Sequence, residues 1–373
     1  MAGHFQDVSA RLAGAFAGNM AAGAELGAAV ALYIDGEEVV SLADGWTTKH
    51  RDVAWTNTTL APVYSATKGP AAASVLHALW THGLCLDTAV TRLWPALPPH
   101  LNVGELLSHQ GGFAALSTRA AVTDHAAVVT AIENQTPMFS PPDHGYHPRI
   151  FGYLAEELVR RITGAPSLGT YWREAIADTH GIDFWIGLPE SEHGRVATLY
   201  PGRPDINPAE AGFYAAFNDP GTVTRKAFLS PQGLHSVAEM NLPGTWTAGL
   251  AGFGGVGSAA GLAKFYSLLS AGRILPDEVM PWLTTRLVDG PDLILHMRTA
   301  YSAGFMLDPL AADGTKLRAI FGPHRDAFGH PGAGGSHAFA DPSRRLGFAY
   351  VMNRMALGVL PHARALTLVE ALG

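Results

Sequence analysis

The chain has 373 residues, 25 Lys and Arg against 32 Asp and Glu for a net charge of −7, and 47% apolar against 15% charged residues. That composition supplies a sizeable core and excludes wholesale disorder, and the scattered basic residues leave no electrostatic footprint for nucleic acid. No apolar run of about eighteen residues is present to span a membrane, and the single Cys85 has no internal disulfide partner.

Phe5, Val8, Leu12 and Phe16 stand at helical spacing, which predicts an amphipathic helix over 5–18. The opening Met-Ala-Gly-His-Phe-Gln-Asp carries no basic-then-apolar leader, so a cytoplasmic protein is expected. Apolar stretches at 27–34 and 38–42 flank Asp35-Gly36, a two-residue hairpin signal. From 65 to 83 the pattern is helical, with Ala72, Val75, Leu76 and Leu79 on one face and Gly83 as the stop. Pro70, lacking an N–H, should weaken or bend its first turns. Between about 86 and 285 the pattern reads as helix and loop, with helices at 151–163, 168–177 and 259–271. The Gly- and Pro-rich stretch 189–243 reads as a long irregular loop suited to walling a cleft. Strands are expected at 300–307, 317–321, 336–340 and 346–352, with Asp341-Pro342-Ser343-Arg344 as the last turn and a helix over 361–372. The simplest assembly is α/β (α+β). Both termini build one antiparallel sheet flanked by helices, residues 1–62 plus 286–373. A mainly helical domain, 63–285, is inserted, and the active site lies in the cleft between them.

Three segments could carry chemistry. Tyr64-Ser65-Ala66-Thr67-Lys68 holds the one S-x-x-K in the chain, at a helix start. Residues three apart share a helix face, so Lys68 lies one turn from the Ser65 hydroxyl and, if desolvated and neutral, can take its proton. A Ser N-cap beside a solvated Lys fits the same letters. In Pro141-Pro142-Asp143-His144-Gly145-Tyr146-His147-Pro148, a loop before the 151–163 helix can present the Tyr146 phenol, its pKa lowered by the lysine's charge, as a proton relay. It can equally be a packing aromatic. Gly329-His330-Pro331-Gly332-Ala333-Gly334-Gly335-Ser336 can bring backbone N–H groups to a developing oxyanion, or form an ordinary tight turn.

In this order the three segments resemble the serine β-lactamase and penicillin-binding-protein superfamily, and within it the family VIII carboxylesterases, which look like class C β-lactamases. Leu106-Leu107-Ser108-His109-Gln110-Gly111-Gly112, Gly254-Gly255-Val256-Gly257-Ser258 and the segment from Phe151 to Leu158 extend the similarity over most of the chain. Tyr146 follows Ser65 by 81 residues and His330 follows Tyr146 by 184. The resemblance implies a β-lactamase/transpeptidase-like fold. It also implies Ser65 as the acylated nucleophile, Lys68 and Tyr146 as its general base, and His330, Gly332 and Ala333 in the third motif. The N–H groups of Ser65 and Ala333 would then form the oxyanion hole. His109 is expected to be structural.

Two departures steer the substrate. Where β-lactamases carry Tyr-x-Asn, the third position here is Pro148, and where they carry the cationic Lys of Lys-Thr-Gly, His330 stands, mostly neutral at pH 7. Both remove handles for an amide-bearing anion, so a small-molecule ester of short to medium acyl chain is the expected substrate. The scaffold's alternatives are a β-lactamase, D-amino-acid peptidase, amide hydrolase or acyltransferase; a ligand-holding protein without turnover is a further one. Phe113, Tyr214, Trp246 and Phe253 are candidate walls for an uncharged acyl group. No cofactor is expected. The 17 histidines include no H-E-x-x-H, so no metal is expected, and no G-x-S-x-G elbow points to an ordinary α/β-hydrolase. A homo-oligomer is left open.

Overall fold

The computed structural model describes residues 2–98, 100–202 and 207–373, with side chains from Asp7 onward. Strand β1 (Gly27–Ile34) is an apolar run buried along nearly its whole length. Such a strand needs cover on both faces and cannot sit at an edge. It lies between β2 (Glu37–Gly45) and the C-terminal β11 (Leu346–Met352), with Val30 opposite Leu42 on one side and Tyr350 on the other. The hairpin joining β1 to β2 turns at Asp35 (φ 53°) and Gly36 (φ 81°), both left-handed as its two-residue turn requires.

A small second sheet orders β3 (Ala61–Pro62), β5 (Val256–Gly257) and β4 (Phe184–Trp185), with β5 in the middle. The large sheet continues beyond β11 through β10 (His337–Asp341), β9 (Phe328–Pro331), β8 (Met306–Leu307), β7 (Arg298–Tyr301) and β6 (Val288–Pro291). Each of its pairings is antiparallel, so both termini build one sheet.

Alternation along β1 separates two cores. Ala28, Val30 and Leu32 pack with Val8, Leu12 and Phe16 of the first helix (Ala2–Ala21) and with Leu368 of the last (Ala363–Glu370). Ala29, Ala31 and Tyr33 face the larger core, which includes Leu262 and Phe265 of helix Ala259–Ser270 and extends through the helical part of the chain. That helix falls inside the 63–285 span yet packs on the sheet. The side chain of Phe5, expected on the apolar face of the first helix, lies outside the described residues. No helix among the described residues is long and apolar enough to cross a membrane.

Some local expectations fail for identifiable reasons. Residues 317–321 form no strand, because the Asp308 carboxylate accepts from the Ile320 and Phe321 N–H groups (3.1 and 3.2 Å) and pairs with Lys316. Side-chain capture replaces a ladder there. The strand adjoining β10 is β9, which overlaps the start of the Gly-rich segment. The stretch 300–307 is broken into β7 and β8 by a turn at Gly304 (φ 88°), where a Cβ would stand 2.5 Å from that of Ala72. The expected loop 189–243 contains helices Ala211–Asn218, Val223–Leu229 and Val237–Met240, the last two capped by Thr222 and by a Ser236–Glu239 capping box. Pro70 lies in the first turn of helix Lys68–Thr81, where its missing donor costs little.

Candidate active site

The nucleophile's position follows from the small sheet. β3 pairs with β5, and the next residue, Val63, donates its N–H to Gly255 O at 3.0 Å. Tyr64 then takes a left-handed φ of 48°, a strained conformation for a residue with a side chain. The turn it makes starts a 3-10 segment, Tyr64–Thr67, that runs into helix Lys68–Thr81. Thr67 secures the turn: its hydroxyl donates to Tyr64 O and accepts from Gly255 N at 2.8 Å. Ser65, partly exposed, stands at the head of the helix with Lys68 one turn on.

Lys68 is fully buried, and its Nζ lies 2.8 Å from Pro148 O, 2.8 Å from Gly252 O and 3.3 Å from Ser65 Oγ. None of these groups is charged. Burial without a counter-charge disfavours the ammonium and pushes the lysine's pKa well below its ordinary 10.5. A neutral amine has two N–H bonds and one lone pair. Two carbonyls at 2.8 Å take the N–H bonds, which leaves the lone pair for the serine hydroxyl.

Tyr146 covers this amine, its ring centroid 4.9 Å from Nζ. The expected lowering of its pKa does not occur. Burial raises it; the contact with Ser65 offsets part of that rise and the charge of Asp292 adds to it. With Lys68 favoured in its neutral form, no strong cation remains to stabilise a phenolate. The phenol therefore stays protonated at neutral pH.

Asp292, which the sequence reading missed, anchors the tyrosine. Its carboxylate accepts the Tyr146 N–H (3.1 and 3.2 Å), the N–H groups of Ile294 and Leu295 (both 2.9 Å) and the hydroxyls of Thr299 (3.0 Å) and Tyr301 (3.4 Å). The Tyr301 ring lies parallel to that of Tyr146 at 6.3 Å. On the other flank, His109 (φ 66°) packs edge-on to Tyr146 at 5.1 Å, and its Nδ1 accepts from His147 N at 3.2 Å. His109 thus holds the tyrosine loop. His147 accepts from Phe113 N through Nε2 and donates from Nδ1 to Gly145 O, so it is neutral, with burial taking its pKa down to about 3.

The third segment reaches Ser65 through backbone. β9 packs on the 64–67 turn, and a Cβ on Gly332 would fall 2.0 Å from Val63 O, so only glycine permits this approach. His330, on β9, is buried with its ring 5.7 Å from that of Tyr146. Its Nδ1 donates to Pro331 O at 2.8 Å, and its Nε2 has no partner among the described residues. Burial, aided by Lys68, lowers its pKa to about 3 and removes any cationic role. Among the described residues, the N–H groups of Ser65 and Ala333 have no protein acceptor.

Ser65, Lys68, Tyr146, His330 and Gly332 are therefore brought to one place. The candidate acyl walls are not. Phe113 is sealed in the larger core, Trp246 packs with Leu60, Leu188 and Val256, and Tyr214 packs on Phe213. Phe253 lies under Arg149. Among the described residues no group of His, Cys, Asp and Glu is arranged to hold a metal ion.

The beta-lactamase family model matches residues 12–372. The esterase/beta-lactamase LipL of Mycobacterium tuberculosis (strain ATCC 25618 / H37Rv) is 28% identical over 361 residues, covering 88% of this chain and 77% of LipL. A family VIII carboxylesterase of known structure is 32% identical at a TM-score of 0.85, over 98% of this chain and 96% of that one. A penicillin-binding-protein homologue from Caulobacter crescentus is 34% identical at a TM-score of 0.82, with the same coverage.

Proposed function

This chain belongs to the beta-lactamase family and is a hydrolase of that fold, and from that premise we propose that it cleaves carboxylic esters of short to medium acyl chain through an acyl-enzyme on Ser65. The observation that carries the reading is the buried Lys68 amine, gripped by two carbonyls and 3.3 Å from Ser65 Oγ.

Lys68 Nζ takes the hydroxyl proton as Ser65 Oγ bonds to the ester carbonyl carbon. The carbonyl oxygen becomes an oxyanion and is received by the N–H groups of Ser65 and Ala333, each worth about 3 kcal/mol. As the C–O bond to the alcohol breaks, the proton passes from Lys68 to the departing alkoxide, with the protonated Tyr146 as donor and relay. Water then repeats the steps on the acyl-enzyme and releases the acid.

Esters suit the site better than β-lactams for two reasons. Pro148 offers no side-chain amide and commits its carbonyl to Lys68, and His330 is neutral where an anionic substrate would want a cation. The LipL name joins both activities, so a chromogenic cephalosporin is the control. Turnover of it at ester-like rates would replace the esterase reading.

The test is hydrolysis of p-nitrophenyl acetate and butyrate, with a fluorophosphonate expected to add once, at Ser65. Ser65→Ala should lose about three orders of magnitude or more in kcat. Equal rates in the variant and the parent would refute the assignment. Because the working form of Lys68 is neutral and its pKa is lowered from 10.5, the rate should rise with pH and level off below the ordinary lysine range. The apparent pKa belongs to the Lys68–Tyr146 pair.

A further inference from the structure

A second cation lies buried behind the site. Arg149 follows the residue whose carbonyl grips Lys68, is 6% exposed, and stacks its guanidinium 4.8 Å from the centroid of Phe253. Its donors end on Phe228 O (3.4 Å), Gly233 O and His235 Nδ1 (2.9 Å), all uncharged, and its Nε has no partner among the described residues. The carboxylate that acts on it, Glu239, is held by the N–H groups of Leu234, His235 and Ser236 and by the Ser236 hydroxyl. Among the described residues no carboxylate pairs directly with this guanidinium, so the anion that ordinarily offsets such desolvation acts on it only from a distance.

Arg149 lines a cavity of about 450 Å³. Apolar wall comes from Val122, Ile186, Leu250 and Phe253. Other ionic groups around the cavity are engaged: Arg160 pairs with Glu157, Arg173 with Asp178, and Glu156 accepts from Leu168 N while burial raises its carboxyl pKa. We propose that this cavity binds a small organic carboxylate, with its apolar end against Ile186, Leu250 and Phe253 and its carboxylate on Arg149. The site is distinct from the cleft, since neither Ser65 nor Tyr146 lines it. The two sites share a wall: Gly252 lines the cavity, and its carbonyl holds Lys68. The proposal stands whichever bond Ser65 attacks.

The full chain is titrated calorimetrically with sodium butyrate and with benzoate at constant ionic strength, before and after fluorophosphonate modification of Ser65. Saturable binding in the millimolar range or tighter is expected, surviving the modification and weakening at least about tenfold in Arg149→Gln. Ala248→Trp, at an exposed position of the cavity wall, should weaken it likewise. No saturable binding overturns the proposal, as does unchanged affinity in Arg149→Gln. Binding abolished by the modification also overturns it, because the acid would then sit in the cleft. Should Arg149→Gln fail to fold, Ala248→Trp decides. Should Ser65 refuse the label, the esterase reading fails, while the two variants still decide the carboxylate site.

Discussion

At the scale of single residues, the proposed chemistry depends on a phenol kept still. Asp292 accepts the Tyr146 N–H through both oxygens while also holding Ile294, Leu295, Thr299 and Tyr301. Asp292→Asn replaces one accepting oxygen with a donor that faces other donors, so the tyrosine loop must shift. A shift of an ångström suffices to lower kcat by about 10- to 100-fold, with KM little changed. The variant also removes a negative charge that raises the Tyr146 pKa, so the falling limb at alkaline pH, where the protonated phenol is lost, should move to lower pH. A merely structural role would leave that limb in place. Ser65 and Lys68 were legible because their spacing puts them on one helix face and the resemblance of the three segments together favoured that reading over a capping serine. Asp292 was not, since it lies 146 positions from Tyr146 and belongs to no motif. Its own bonds to Ile294 and Leu295, two and three residues on, are a turn signal that says nothing of a distant tyrosine.

At the scale of elements, what brings the third motif to the nucleophile is a strand whose following loop has no side chain in the way. Gly332 is the point of approach, its missing Cβ 2.0 Å from Val63 O and 3.4 Å from Ala66 N. Backbone on both sides cannot yield as a flexible side chain would. Gly332→Ala should therefore push the loop and the Ala333 N–H away from Ser65 and lower kcat by about 10²- to 10³-fold, the cost of one oxyanion donor. Circular dichroism and the melting temperature would establish that the variant is folded. A folded variant with parental kcat would count against an oxyanion role for this loop. The same region marks where periodicity misled. The apolar letters of 317–321 promise a strand, but Asp308 binds that backbone from outside the segment. β9, with a Gly and a Pro among its four residues, carries little β-propensity yet pairs with both β8 and β10. Pairing there is set by neighbours on either side, which a local pattern does not contain.

At the scale of the whole molecule, the sheet from both termini was readable because apolar runs at each end have strand period and the intervening chain does not. The price is a core holding many buried polar side chains, including His147, His330, His337 and His362, whose pKa values burial lowers from 6.5 to about 3, 3, 4 and 4. In each case the unfolded chain binds the proton first as pH falls, so stability is complete above pH 6.5 and is lost as pH drops toward 4 and 3. Glu25, Glu156, Glu210 and Asp308, raised by burial, act in the opposite sense, so the total slope does not isolate the histidines. A single replacement does. His337 is wedged between Phe321, Phe339 and Phe348, donates from Nε2 to Ile320 O at 2.7 Å, and has no partner on Nδ1 among the described residues. In His337→Phe the lost hydrogen bond is a cost that does not vary with pH, whereas the lost titration varies with it. Between pH 7 and pH 4.5 the parent should therefore lose about 2 to 3 kcal/mol more unfolding free energy than the variant. Urea denaturation of both proteins at the two pH values measures that difference directly, and parallel losses would mean that His337 is not held neutral by the fold.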